Sequence, residues 1–328
     1  MGRAGAPDKP GAGRKDARTS GREDVGGDEV AQPQEQAGQA TRSAGPEAAP
    51  GRVLSIQSLV AAGHVGHGAS AFALAAEGIE TAVVPTVVLS GHAATPGVQG
   101  RRLPGAEIAA LGRGLAAAGV LEACAGILTG YPGAAEAAEA VAGLVEAAKA
   151  ARPGALYLCD PVLGDDGPGL YLPAEVGEIY RARMLPVADV AMPNRFELGW
   201  LTGRPTGSVE EIRAAAAALR AAGPRAVIVT SVPVEGGLGL LSETAEGAWL
   251  SATPRVPRAL NGAGDFVAAV TMAALLKGRA VPQAAARAAG AAWAAAQAAE
   301  RLGRDDLPVV AAQDDWRAAP PAEIVRLG

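Results

Sequence analysis

From Arg52 onward, short β-branched runs alternate with long Ala-rich stretches of helical character. The runs at 52–57, 81–88, 124–129, 155–159, 188–192 and 225–231 are predicted strands. Between them fall predicted helices at 69–77, 105–118, 133–151, 173–183, 194–202 and 208–222. Strand-like pieces near 238–242 and 248–252 follow, then two last helices at 264–277 and 282–302. This alternation predicts an α/β fold, a mostly parallel central sheet with helices on both faces. Open sheets of this kind bind ligands beyond the carboxyl ends of their strands. The polar and glycine-rich segments of the chain collect at those ends.

The pattern starts abruptly. Before residue 51 the only apolar side chains other than Ala are Met1, Val25 and Val30, too few to offset the entropy of ordering the segment. Residues 1–50 are therefore expected to form a disordered tail, and residues 51–328 a single domain. Acids such as Asp8, Asp16, Glu23 and Asp24 argue against a transit peptide in the tail.

Over 328 residues, 29 Lys and Arg stand against 34 Asp and Glu, a formal charge of −5. Such a balance gives no general attraction for nucleic acid or an anionic membrane. Hydrophobic residues make up 49% and aromatics only 3%, so the core is expected to be built largely from Ala, Val and Leu. Uncharged stretches such as 288–299 fall well short of the roughly 18 to 20 strongly apolar residues of a membrane span. Two cysteines, Cys124 and Cys159, make neither a disulfide framework nor a metal cluster, and no apolar leader precedes the domain. A cytoplasmic setting is the expectation.

Three segments carry candidate chemistry. Asn261-Gly262-Ala263-Gly264-Asp265 opens directly into an apolar helix, so main-chain N–H groups would converge there at the positive end of the helix dipole. Asp265 in that first turn would sit beside a bound anion, a place for a carboxylate that accepts a proton; an ordinary capped helix accounts for the same string. Asn194-Arg195-Phe196-Glu197 follows a strand and puts an amide and a carboxylate on one helix face. They would suit a hydrated magnesium ion, or else a capping arrangement of the Asn-x-x-Glu kind. Asp160 and Asp165 lie just past another strand end, where acids either order water around a metal or turn the chain. The histidines His64, His67 and His92 lie in predicted loops without the helical i, i+4 pair of a zinc protease. Hydrogen bonding to a small polar substrate is expected of them. Nucleophile elbows, Walker A loops and dinucleotide fingerprints are absent.

Taken in order, these segments resemble the pyridoxal kinases of the ribokinase-like superfamily. The resemblance runs through Leu54-Ser55-Ile56-Gln57-Ser58, Gly63-His64-Val65-Gly66, Pro85 to His92, Leu128-Thr129-Gly130-Tyr131, Cys159 to Asp165, Tyr171-Leu172-Pro173, Pro193 to Glu197, Thr230-Ser231 and Gly262 to Asp265. It covers nearly everything after residue 51.

What it implies is a ribokinase-like three-layer sandwich that transfers the γ-phosphoryl group of ATP to the 5′-hydroxymethyl group of pyridoxal, pyridoxine or pyridoxamine. Asp265 would be the base, with the N–H groups of Gly262, Ala263 and Gly264 stabilising the moving phosphoryl group. Ser58, His92 and Tyr131 would hold the pyridine ring, and Tyr171 would lie on a flap. Asp160, Asn194, Glu197, Thr230 and Ser231 would serve ATP, with Asp160, Asp165 and Glu197 holding Mg²⁺ through water. A monovalent cation and a homodimer belong to the same expectation. Four positions depart from the family's pattern: His67 and Gly91 stand where Asn is usual, and Ala93 and Met192 where Thr is usual. The alternatives are a hydroxymethylpyrimidine or sugar kinase of the same superfamily, or a relative that binds the vitamer without turnover. Hydroxymethylpyrimidine kinases usually carry Cys where Asp265 stands.

Overall fold

A computed structural model describes residues 51–257 and 260–328; the expected tail, residues 1–50, lies outside the described residues. The first half of the chain builds β1 (Arg52–Val60), α1 (His67–Ala76), β2 (Thr81–Leu89), β3 (Gly100–Arg102), α2 (Gly105–Ala117), α3 (Val120–Ala123), β4 (Cys124–Thr129), α4 (Ala135–Ala151) and β5 (Leu156–Cys159). A small hairpin, β6 (Gly164–Asp165) and β7 (Gly169–Leu170), precedes α5 (Ala174–Ile179). Then come β8 (Val190–Ala191), α6 (Arg195–Thr202), α7 (Val209–Ala221), β9 (Ala226–Val234), β10 (Gly237–Thr244) and β11 (Gly247–Pro254). The chain ends with α8 (Ala263–Leu276), α9 (Val281–Leu302), α10 (Gln313–Ala318) and β12 (Ile324–Leu327).

Among the described residues the main sheet runs β12-β11-β10-β9-β8-β5-β4-β1-β2-β3. The stretch from β9 to β2 is parallel, and antiparallel strands close both edges. Alternate residues of each parallel strand feed two separate cores. Leu54, Ile56, Ile127, Val227 and Val229 join Ile108, Val141, Leu198 and Ile212 under α2, α4, α6 and α7. Val53, Leu128, Leu158 and Ile228 join Ala73, Phe266, Val270 and Ala288 under α1, α8 and α9. Both faces are thus buried, as the βαβ pattern requires. Strand order reverses at β1, which has β2 on one side and β4 on the other, and such a reversal opens a crevice at the strand ends.

Several boundaries differ from the sequence reading. The helix expected at 173–183 ends at Ile179 and continues as a π-helical turn, Tyr180–Met184. The strand expected at 188–192 is only Val190–Ala191. The helix expected from residue 69 starts at His67, so that histidine is a helical residue and not part of a loop.

Candidate active site

A cavity of about 230 Å³ opens at the carboxyl ends of the parallel strands. His92 reaches it from the loop after β2, Asp160 from that after β5, Asn194 from that after β8, Thr230 from β9, and Gly262 to Asp265 from the start of α8. Gly262 precedes α8 with φ 81 and has no side chain to cap it, leaving the first-turn N–H groups open to the cavity. Any side chain here would collide with the carbonyl oxygen of His64; the close approach of the loop after β1 requires glycine.

Asp265 is half-buried in that turn. Its Oδ2 accepts a hydrogen bond from the N–H of Gly66 at 2.7 Å. Burial pushes the carboxyl up to about 6, and the Gly66 N–H works against that rise. Asp160, 8% exposed, is driven well above the usual carboxylate range by burial and by the charges of Glu197 and Asp265, with the Val162 N–H opposing. Val162 sits at φ 42, a conformation that β-branched residues rarely adopt.

Both halves of the Asn-x-x-Glu arrangement form. Glu197 Oε2 accepts from the Asn194 N–H at 2.8 Å, and Asn194 Oδ1 accepts from the Glu197 N–H at 2.9 Å. Glu197 Oε1 then accepts from Leu163 N–H at 2.7 Å and Gly164 N–H at 3.3 Å, while Asn194 Nδ2 donates to the Gly164 carbonyl at 2.8 Å. The pair therefore caps α6 and pins the loop that carries Asp160. Burial pushes Glu197 up to about 7 despite those N–H donors.

Asp165 and Tyr171 bracket the β6–β7 hairpin at the rim of the cavity. Tyr171 is 47% exposed, and burial with the Asp165 charge raises its phenol to about 12. Beyond Asn194 and Thr230 a second chamber of about 390 Å³ continues past Ser231, at φ 58, to Leu240, Val267 and Trp293. The structure thus gathers Asp265, Gly262, Ala263, Gly264, His92, Tyr171, Asp160, Asp165, Asn194, Glu197 and Thr230 on one cavity, with Ser231 next door. Met192 lines it as well. Gly91 faces a neighbouring hollow with His64 and Ser90.

Two expected ring contacts stand back from the cavity wall. Ser58 packs against Gly66, and the Tyr131 carbonyl accepts from Thr86 Oγ1 at 2.6 Å while its side chain leans on the core. Among the histidines, His64 pairs through Nδ1 with Asp306 Oδ2 at 2.9 Å. His67 is 4% exposed and bonded to Ser55 and Val84, so it is not turned to a substrate as expected. Gly66, part of the Gly63-His64-Val65-Gly66 motif, serves the site through its main-chain N–H, a donor that no side chain announces. Among the described residues no three His, Cys, Asp or Glu side chains group to hold an ion by themselves. Asp160 and Asp165 nevertheless present carboxylates to the cavity, and two such groups suit a magnesium ion that draws its remaining ligands from phosphates and water.

The phosphomethylpyrimidine kinase family model matches residues 122–310. A pyridoxal kinase PdxY from Rubrobacter xylanophilus is 38% identical over 273 residues, which is 82% of this chain and 94% of the relative. Another, from Deinococcus radiodurans, is 38% identical over 81% of this chain and 93% of the relative. The pyridoxal kinase from Leishmania donovani solved with ADP and pyridoxine superposes with a TM-score of 0.79 at 29% identity, covering 85% of this chain and 100% of that one.

Proposed function

The chain belongs to the pyridoxal kinase family, and from that premise we propose that it phosphorylates the 5′-hydroxymethyl group of pyridoxal, pyridoxine or pyridoxamine at the expense of ATP. One observation carries the reading: an acid at the head of α8, held by the Gly66 N–H at 2.7 Å, stands beside uncapped helix N–H groups in a cavity at the strand ends. In the proposed step the substrate oxygen attacks the γ-phosphorus. The bond from that phosphorus to the β,γ-bridging oxygen breaks, ADP leaves, and the hydroxyl proton passes to Asp265. The N–H groups of Gly262, Ala263 and Gly264 receive the charge spread over the moving phosphoryl oxygens.

His92 and Tyr171, which line the cavity, are assigned to the vitamer, with Ser58 and Tyr131 standing behind them as the wall that backs its ring. Asn194, Thr230 and Ser231 are assigned to the phosphates, and the apolar chamber by Trp293 suits the base. Mg²⁺, held by Asp160 and Asp165 with Glu197 fixing their loop, would neutralise phosphate charge. A monovalent cation, a homodimer and a cytoplasmic setting complete the proposal. Among the described residues no helix is long and apolar enough to cross a membrane.

The test is ADP release with Mg-ATP over the three vitamers, hydroxymethylpyrimidine and a few sugars. Turnover is expected with the vitamers. Release only with the pyrimidine or a sugar, or vitamer binding without ADP, overturns the proposal.

A further inference from the structure

Ser55 and Gln57 interrupt β1 on the face that otherwise feeds the α8 and α9 core, and His67 and Ser70 meet them from α1. All four are buried, at 0%, 2%, 4% and 0% exposure. Burying polar groups in a core costs stability unless each finds a partner, and here every one does. Gln57 Nε2 donates to Ser55 Oγ at 2.8 Å and to Ser70 Oγ at 2.6 Å. Ser70 Oγ donates to the carbonyl of Gly66 at 3.0 Å. On the other side His67 Nε2 lies 3.2 Å from the Val84 carbonyl, which can only accept, so Nδ1 is the bare nitrogen that takes the Ser55 hydroxyl at 3.2 Å. Burial keeps His67 neutral by lowering it to about 4.

The chain of donors runs one way, from Gln57 outward, and one branch ends on Gly66. That residue precedes α1 with φ 56 and ψ −129, and a Cβ there would strike the backbone and hydroxyl of Ser58. Only glycine fits, and glycine has no conformational preference of its own strong enough to hold such a pair of angles. Rigidity must come from its partners, and the Ser70 hydroxyl is one of them. The opposite end of the same residue donates to Asp265.

We infer that Ser70 and Gln57, the latter braced on its other side by Ser55 and His67, are positioning residues that lock Gly66, so that its N–H fixes the carboxylate of Asp265 for phosphoryl transfer. This rests on the kinase reading above. Loosening the lock lowers the frequency of productive geometry without touching either substrate's contacts.

The experiment is Ser70→Ala, with Ser70→Thr as the conservative variant, read by ADP release and by the amide resonance of Gly66 in ¹⁵N-labelled protein. Expected are a kcat about 10-fold lower with KM for ATP and pyridoxal unchanged, an upfield move of the Gly66 proton, and recovery of both in Ser70→Thr. An unchanged kcat or an unmoved Gly66 signal in folded Ser70→Ala overturns the inference. Should Ser70→Ala fail to fold, Gln57→Met removes both donors at similar length and is judged by the same two readouts. If the wild-type protein turns over no vitamer, the kinase reading fails instead, and the Gly66 signal alone then decides whether the lock exists.

Discussion

Asp265 is asked to be ionised in surroundings that favour its proton. A base acts only when deprotonated, so with the carboxyl raised to about 6 kcat/KM is expected to climb about tenfold per pH unit below that value and to level off above it. Asp265→Asn keeps an oxygen to accept from Gly66 and removes a half-buried charge. Turnover should fall roughly 10²-fold or more, while thermal unfolding at pH 8 should show a fold more stable by about 1–2 kcal/mol. A mutant with full turnover, or one that melts earlier, contradicts this account. Two glycines of the loop should separate in the same assays. Gly262 holds φ 81 against the His64 carbonyl, whereas a Cβ on Gly264 meets nothing within 4 Å. Gly262→Ala is therefore expected to lose stability and kcat together, and Gly264→Ala to melt normally and raise KM for ATP. Asp265 was legible because glycines and an acid directly before an apolar helix carry a residue signature. Gly66 was not legible as its partner, since a main-chain donor has no signature and the contact joins positions 199 apart.

At the scale of elements, α6 shows how one capping pair serves a distant loop. The sequence left capping and metal binding as alternatives for Asn194 and Glu197, and the structure builds the cap. It then uses the second oxygen of Glu197 to hold Leu163 and Gly164 beside Asp160. In Glu197→Gln an NH₂ must face either the Asn194 N–H or the Leu163 and Gly164 N–H groups, leaving donor against donor. The expected cost is about 1–3 kcal/mol with a raised KM for Mg-ATP; an unchanged melting temperature and KM would show that the loop holds itself. The long strands and helices were visible because their apolar spacing fixes period and face. Short pieces were not: β3, β12 and the β6–β7 hairpin are ordered by partners that local sequence does not specify, β2, β11 and each other. The early end of α5 has a similar cause, as its continuation Tyr180 is tied by its hydroxyl to the Gly130 carbonyl at 3.0 Å.

For the whole molecule, ionisable groups pull stability in opposite directions with pH. Burial pushes Glu77 upward, but Lys277 and Arg287 outweigh it and hold the carboxyl below its usual range. This half-buried cluster ties α1 to α8 and α9, and Arg287 also reaches the Trp316 carbonyl of α10 at 3.1 Å. Asp306 is likewise raised by burial and lowered further by Arg304 and His64. Groups with depressed values stabilise the fold above their unfolded pKa and lose that contribution as pH falls. Asp265 and Glu197 behave oppositely. Their folded values of about 6 and about 7 exceed the unfolded 3.8 and 4.5, so the native state binds more protons between those limits and stability declines as pH rises through them. The melting temperature without ligands is therefore expected to peak near pH 5, below the pH at which activity levels off, and to decline toward pH 8. Mg-ATP, binding beside the same acids, should raise the melting temperature more at pH 8 than at pH 5.5, because protons compete for the carboxylates at the lower pH. Calorimetric scans across pH 4.5 to 8.5, with and without Mg-ATP, test both slopes. A ligand-free melting temperature that rises steadily to pH 8 would mean that the acids of the cavity are solvated and unstrained, and with that the physical basis for Asp265 as a tuned base would be gone.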